Sequence, residues 1–164
     1  MTMRVMTLGV GDLGAAKDPG IVIRTHALGS CVAVLLLDPK TRSVGMVHIA
    51  LPESKINNVK AREKPGYFAD TGVPALIKEM SRIGCHGNGK GMIVKLVGGA
   101  KIMDPNNTFN IGKRNVLAIK KILWSLKMGV VAEDVGGSIS RTVTLGADKG
   151  RVVISSSGRN DWSV

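Results

Sequence analysis

Aromatic side chains are scarce: two Trp, two Phe and one Tyr make up 3% of the 164 residues. Proteins that hold single-stranded nucleic acid lean on aromatic stacking platforms. No zinc finger, helix-turn-helix or RNP-like aromatic motif is visible either. Cysteine is equally sparse, and two thiols in a chain of this size do not make a disulfide framework. A reduced, cytoplasmic protein is the simplest expectation. No apolar run approaches the ~20 residues of a membrane span, and Met1-Thr2-Met3-Arg4-Val5-Met6 lacks the apolar core of a secretory signal. Acidic residues are outnumbered, 12 against 23 basic ones, for a formal net charge of +11. That excess suits an acidic partner (nucleic acid, anionic lipid or an acidic protein surface) or a solvated basic surface. The shortage of aromatics and the even spread of the basic residues make nucleic acid the weaker choice.

Hydrophobic residues make up 44% of the chain, enough at this length for one domain with a sizeable core. The segment Thr25-His26-Ala27-Leu28-Gly29-Ser30-Cys31 leads into an apolar run over 32–37. A polar turn, Asp38-Pro39-Lys40-Thr41-Arg42-Ser43, connects it to a second run over 44–51 that carries His48. Two extended runs joined in this way predict a β-hairpin. If Leu37 pairs with Val44, Ala33 lies opposite His48 and Cys31 opposite Ala50. Side chains alternate along a strand, so Cys31 and His48 become diagonal neighbours on one face, about 7–8 Å or less between Cβ atoms.

A thiol within reach of an imidazole is a candidate nucleophile and base, because the thiolate is the reactive form and a free thiol is mostly protonated at pH 7. Thr25 ends the run Ile21-Val22-Ile23-Arg24, and a bend at Gly29-Ser30 brings its hydroxyl toward the same pocket as an orienting group. Backbone N–H groups of Gly29, Ser30 and Cys31 are the oxyanion candidates. Residue types alone leave the plainer reading open, since a Cys at a strand edge is ordinarily a small buried hydrophobe.

The remaining chain alternates clear and weak signals. Residues 52–67 read as a polar loop. Asp70 is expected to cap a helix running to Ile83, with Pro74 in its first turn and Val73, Leu76, Ile77, Met80 and Ile83 as the buried stripe. A strand over 92–97 leads into Gly98-Gly99-Ala100. A second helix is expected over 110–129, with Val116, Ile119, Leu123 and Leu126 inward, and strands over 130–135, 142–145 and 152–154 complete an α/β (α+β) pattern. Gly98-Gly99-Ala100 and Gly136-Gly137 read as structural turns rather than phosphate loops. Gly9-Val10-Gly11-Asp12-Leu13-Gly14 spells a dinucleotide fingerprint without the strand–helix unit it needs. Cys85-His86 lies in Gly84-Cys85-His86-Gly87-Asn88-Gly89, lacks further ligands at zinc spacing, and reads as a surface pair.

Several stretches together resemble the CheD family of chemoreceptor glutamine deamidases. They are Thr25 with Leu28-Gly29-Ser30-Cys31-Val32-Ala33-Val34; Met46-Val47-His48-Ile49-Ala50-Leu51-Pro52; Tyr67-Phe68-Ala69-Asp70-Thr71; and Gly98-Gly99-Ala100. Ile111-Gly112-Lys113-Arg114-Asn115-Val116 and Ala132-Glu133-Asp134-Val135-Gly136-Gly137 extend the likeness, which runs from about residue 5 to about 155. The resemblance implies a layered sandwich of mostly antiparallel sheet with two main helices, similar to the cytotoxic-necrotizing-factor deamidase domain. It implies hydrolysis of glutamine side chains on methyl-accepting chemoreceptors to glutamate, with Cys31 as nucleophile, His48 as base and Thr25 as third residue. No metal or organic cofactor is implied. Some family members also act on receptor methyl esters, and members often bind CheC, a phosphatase of the response regulator. A non-enzymatic regulator that binds a CheC-type phosphatase or a receptor is the alternative. His26, Lys101-Ile102-Met103 and Ser138 depart from the family pattern, outside the three site residues and in loops that set docking.

Overall fold

The computed structural model describes residues 2–102 and 109–164, so Met103 lies outside the described residues. Among the described residues ten strands form two five-stranded sheets. They are β1 (Arg4–Leu8), β2 (Leu13–Ala16), β3 (Ile21–Leu28), β4 (Val32–Asp38), β5 (Ser43–Ile49), β6 (Ile93–Gly98), β7 (Val130–Val135), β8 (Arg141–Gly146), β9 (Val152–Ser155) and β10 (Trp162–Ser163). The first sheet has the order β1-β3-β8-β9-β10 and the second β2-β5-β4-β6-β7. β1 runs parallel to β3 and β6 parallel to β7, and the other pairs are antiparallel. The α-helices are α1 (Asn58–Glu63), α2 (Ala69–Arg82) and α3 (Ile111–Ser125). The fold is therefore α+β with two mixed sheets. Among the described residues no helix is long and apolar enough to cross a membrane.

The layers run helices, sheet, sheet. Val32, Val34 and Leu36 of β4 and Val47 and Ile49 of β5 pack against Val73, Leu76 and Met80 of α2 and Ile119 and Leu123 of α3. Ala33 and Leu35 on the opposite face of β4, with Met46 of β5, meet Ile23, Val143, Leu145 and Ile154 of the other sheet. β4 is thus buried on both faces, which is why its sequence is an unbroken apolar run and not an alternating one. The hairpin register is the expected one, with Leu37 opposite Val44 and Ala33 opposite His48. In the turn the Asp38 carboxylate accepts from Lys40 N at 3.0 Å and from Thr41 Oγ1 at 3.0 Å.

Some elements differ from the sequence expectation. Residues 52–67 are not a loop: they hold two 3₁₀ turns (Ser54–Ile56 and Pro65–Tyr67) and α1, whose first turn is capped by the Asn57 side chain accepting from Lys60 N at 3.0 Å. Only Ala61 of α1 is buried, so no apolar stripe announced the helix. α2 starts two residues earlier than expected, with Phe68 rather than Asp70 at the cap position. Asp70 instead accepts from Ser54 N at 3.0 Å and Ser54 Oγ at 2.8 Å, and Pro74 falls inside the helix. α3 ends at Ser125 because Lys127 turns left-handed (φ 59°) and Met128 N closes back on Leu123 O at 2.9 Å. That turn leaves Leu126 exposed rather than inward. β1 and β2 carry no strand signal in the sequence, because β1 is mostly exposed and β2 is Leu-Gly-Ala-Ala, poor in the β-branched residues that favour strands.

Candidate active site

Three elements converge between the sheets. Thr25 lies near the end of β3 and is fully buried. A bulge follows at once: the β3–β8 register shifts between Thr25 and Leu28, and Ala27 takes φ 54°. His26 and Ala27 are thrown outward and Leu28 returns to the core, so the chain reaches Gly29-Ser30-Cys31 redirected toward β4. His26 is therefore an exposed bulge residue. Cys31 is half-buried and packs against the cluster between the sheets, on the face that holds Ala33 and Leu35. His48 alternates with Val47 and Ile49, which face the helices, and so shares the intersheet face with Met46. Cys31 and His48 accordingly belong to one face, and Thr25 meets the imidazole from the opposite sheet.

That contact determines the tautomer. Thr25 Oγ1 lies 2.7 Å from Leu8 O and 2.7 Å from His48 Nδ1. A carbonyl cannot donate, so the single hydroxyl proton goes to Leu8 O, and the Thr25 oxygen accepts from Nδ1–H. Nε2 is left as the lone-pair nitrogen, buried and without a hydrogen-bond partner among the described residues. The histidine backbone is also held: His48 N donates to Asp12 O at 3.0 Å and Gly11 N donates to His48 O at 2.8 Å.

Burial sets the protonation states. It pushes His48 down from its ordinary 6.5 to about 4, with the Asp12 carboxylate partly opposing. It pushes the Cys31 thiol above its ordinary 9.0, with the cysteine's own backbone N–H partly opposing. At pH 7 the resting pair is a neutral thiol and a neutral imidazole.

The backbone around Cys31 is tightly held. Ala100 N donates to Gly29 O at 2.7 Å and Gly99 N to Cys31 O at 2.8 Å. A Cβ on Gly98, whose φ is 118°, would sit 2.3 Å from Cys31 O, so this close approach requires glycine. The Gly98-Gly99-Ala100 turn is thus a brace for the cysteine loop. Asn115 Nδ2 donates to Ser30 O and to Ala50 O, both at 3.0 Å. Gly29 and Ser30 also line a cavity of about 630 Å³ bounded by Gly99, Ala100, the start of α3 and Gly136-Gly137; neither Cys31 nor His48 lines it.

Asn115 carries no assigned role at the level of sequence, although a signal existed: it is a polar residue on the inward stripe of α3, fully buried beside Val116. Cys85 is not a surface residue. It is buried in the core beneath α2, 3.3 Å from Thr41 Oγ1, because the chain doubles back after the helix. His86 beside it is exposed and accepts from Asn88 N. Among the described residues no cluster of three His, Cys, Asp or Glu side chains is placed to hold a metal ion.

Known proteins are similar to this chain in sequence. Residues 50–156 match the family model described as CheD, chemotactic sensory transduction. A probable chemoreceptor glutamine deamidase CheD from Syntrophotalea carbinolica is 57% identical over 162 residues, covering 99% of this chain and all of the relative. A probable chemoreceptor glutamine deamidase CheD 2 from Anaeromyxobacter dehalogenans is 46% identical over 94% of this chain and 96% of its own. One from Methanococcus maripaludis is 36% identical over 92% of this chain and 94% of its own. The family-model match begins beyond Thr25, Cys31 and His48, whereas the 162-residue match spans them.

Proposed function

The chain belongs to the CheD family, and from that membership we propose that it is a chemoreceptor glutamine deamidase working through a Cys31 thioester. The observation that carries the mechanism is the Thr25–His48 contact, which leaves His48 Nε2 as a base on the face shared with Cys31. As the Cys31 sulfur attacks the glutamine Cδ, Nε2 takes the thiol proton, and the carbonyl oxygen becomes an oxyanion held by backbone N–H groups of the 29–31 loop. Collapse breaks the C–N bond, and the imidazolium gives its proton to the departing ammonia. Nε2 then takes a proton from water as the oxygen attacks the thioester, and glutamate leaves as the thiol is restored. Thr25 accepts from Nδ1–H throughout and steadies the imidazolium that forms in each half-reaction. Methyl-accepting receptors as substrates, a cytoplasmic location, a CheC-type phosphatase as partner and a likeness to the cytotoxic-necrotizing-factor deamidase domain belong to the same reading. The family's chemistry and the helix–sheet–sheet layering support it.

Incubation with a chemoreceptor cytoplasmic domain, followed by peptide mapping, tests the proposal: specific glutamines gain about one dalton and ammonia appears, with no new fragments. Backbone cleavage, or no change at any glutamine, sinks it. Thr25→Val keeps the shape but removes the acceptor for Nδ1–H. It is expected to lower kcat about 10- to 100-fold, as the loss of one buried hydrogen bond to a developing charge implies, and ammonia release measures it. An unchanged kcat would remove Thr25 from the mechanism.

A further inference from the structure

Asn115 is fully buried, and both protons of its amide are committed to main-chain carbonyls on either side of the candidate site. Ser30 O belongs to the peptide unit that ends in the Cys31 N–H, and Ala50 lies two residues beyond His48. The orientation of the amide is forced, since exchanging its O and N would set an oxygen against two carbonyl oxygens. Its own Oδ1 is buried without a hydrogen-bond partner among the described residues. The amide thus leaves one buried acceptor unsatisfied while it satisfies two main-chain carbonyls, and an apolar residue at this position would leave both of those without this donor.

The geometry of the peptide unit turns this contact into a statement about chemistry. Among the described residues no peptide bond is cis, and in a trans peptide the C=O and N–H point in opposite directions. Asn115 lies on α3, which packs on the helix-covered face of the second sheet. Drawing Ser30 O toward α3 therefore aims the Cys31 N–H toward the opposite face, where Cys31 packs. Among the described residues the Ser30 and Cys31 amides donate to no carbonyl outside the strand ladders. Ala100 N performs the same service for the preceding unit by holding Gly29 O.

We infer that Asn115 is a positioning residue for the deamidation: by holding the Ser30 carbonyl it aims the Cys31 amide at the oxyanion, and by holding the Ala50 carbonyl it ties that amide to the strand bearing the base. The inference rests on the deamidase reading and adds a residue to it.

Two reactions of the same cysteine separate this role from a merely structural one. Amide hydrolysis passes through an oxyanion, whereas alkylation by iodoacetamide is a displacement at carbon that makes none. Asn115→Leu, close in size and without donors, is expected to lower kcat for ammonia release about 10²-fold, the effect of losing one oxyanion donor. KM and the rate of Cys31 alkylation at pH 9 should stay within about twofold. An unchanged kcat in the folded variant overturns the inference, and so does a parallel fall in alkylation. Wild-type protein assayed alongside keeps the two readings apart, because no release from the wild type sinks the deamidase reading itself. Should the variant fail to fold, ¹⁵N-labelled wild type supplies the answer. A receptor peptide whose glutamine is replaced by the corresponding γ-aldehyde forms a thiohemiacetal on Cys31, and its oxyanion should shift the Cys31 amide resonance strongly downfield. A Cys31 amide that does not move overturns the inference.

Discussion

Cys31→Ala is expected to abolish ammonia release from a receptor domain, by at least about 10⁴-fold, while the protein remains folded. The size of the effect follows from the role: without the sulfur there is no covalent intermediate, and the imidazole and oxyanion donors alone retain only a small part of the rate. Folding should survive because Cys31 is half-buried at the margin of the intersheet cluster, and the residues that hold its backbone act on main-chain atoms. Circular dichroism and thermal melting check the fold, and ammonia release with peptide mapping checks the chemistry. A folded Cys31→Ala protein with full activity ends the thioester mechanism.

His48→Ala should show two effects from one atom set. Ammonia release falls by about 10³-fold or more, because neither the thiol nor the attacking water has a base. The pH dependence of stability should also flatten. In the unfolded chain His48 titrates near 6.5 and in the folded protein near 4, because burial opposes its charge. Between those values the unfolded state binds more protons, so stability is full above pH 6.5 and declines as pH falls toward 4. The total is about 3 kcal/mol for a shift of this size. Denaturant unfolding of wild type and His48→Ala at pH 7.5, 5.5 and 4.5 reads the difference. The variant starts lower, because a cavity replaces the ring, but loses less on acidification. Identical slopes would show that His48 titrates normally in the folded protein, and the case for a neutral buried base would fall with that result.

The parts of the molecule that could be read in the sequence are those governed by short-range rules. The 32–37 and 44–51 runs and their six-residue turn specified a hairpin, and with side chains alternating along each strand the pairing of Ala33 with His48 followed. The stripe Val73, Leu76, Ile77, Met80 specified the buried face of α2 in the same way. The segments whose structure differs from the sequence expectation lack such periodicity. α1 exposes nearly everything except Ala61, β1 is an exposed edge, and β2 is glycine and alanine over much of its length. Cys85 follows a helix among glycines, the pattern of a surface turn, and only the return of the chain against α2 buries it.

The amino-acid order by itself determined which chemistry was within reach: a thiol and an imidazole placed on one face of a ladder by a two-residue period and a short turn. It could not determine which imidazole nitrogen is free, which way the cysteine amide points, or how far the two groups are shifted from their ordinary pKa values. Those depend on Thr25 arriving from the other sheet and Asn115 from a helix 85 residues beyond Ser30. They depend equally on the two layers that close over the site. Contacts between segments so far apart leave no local pattern, and only packing the sheets and helices together brings them into being.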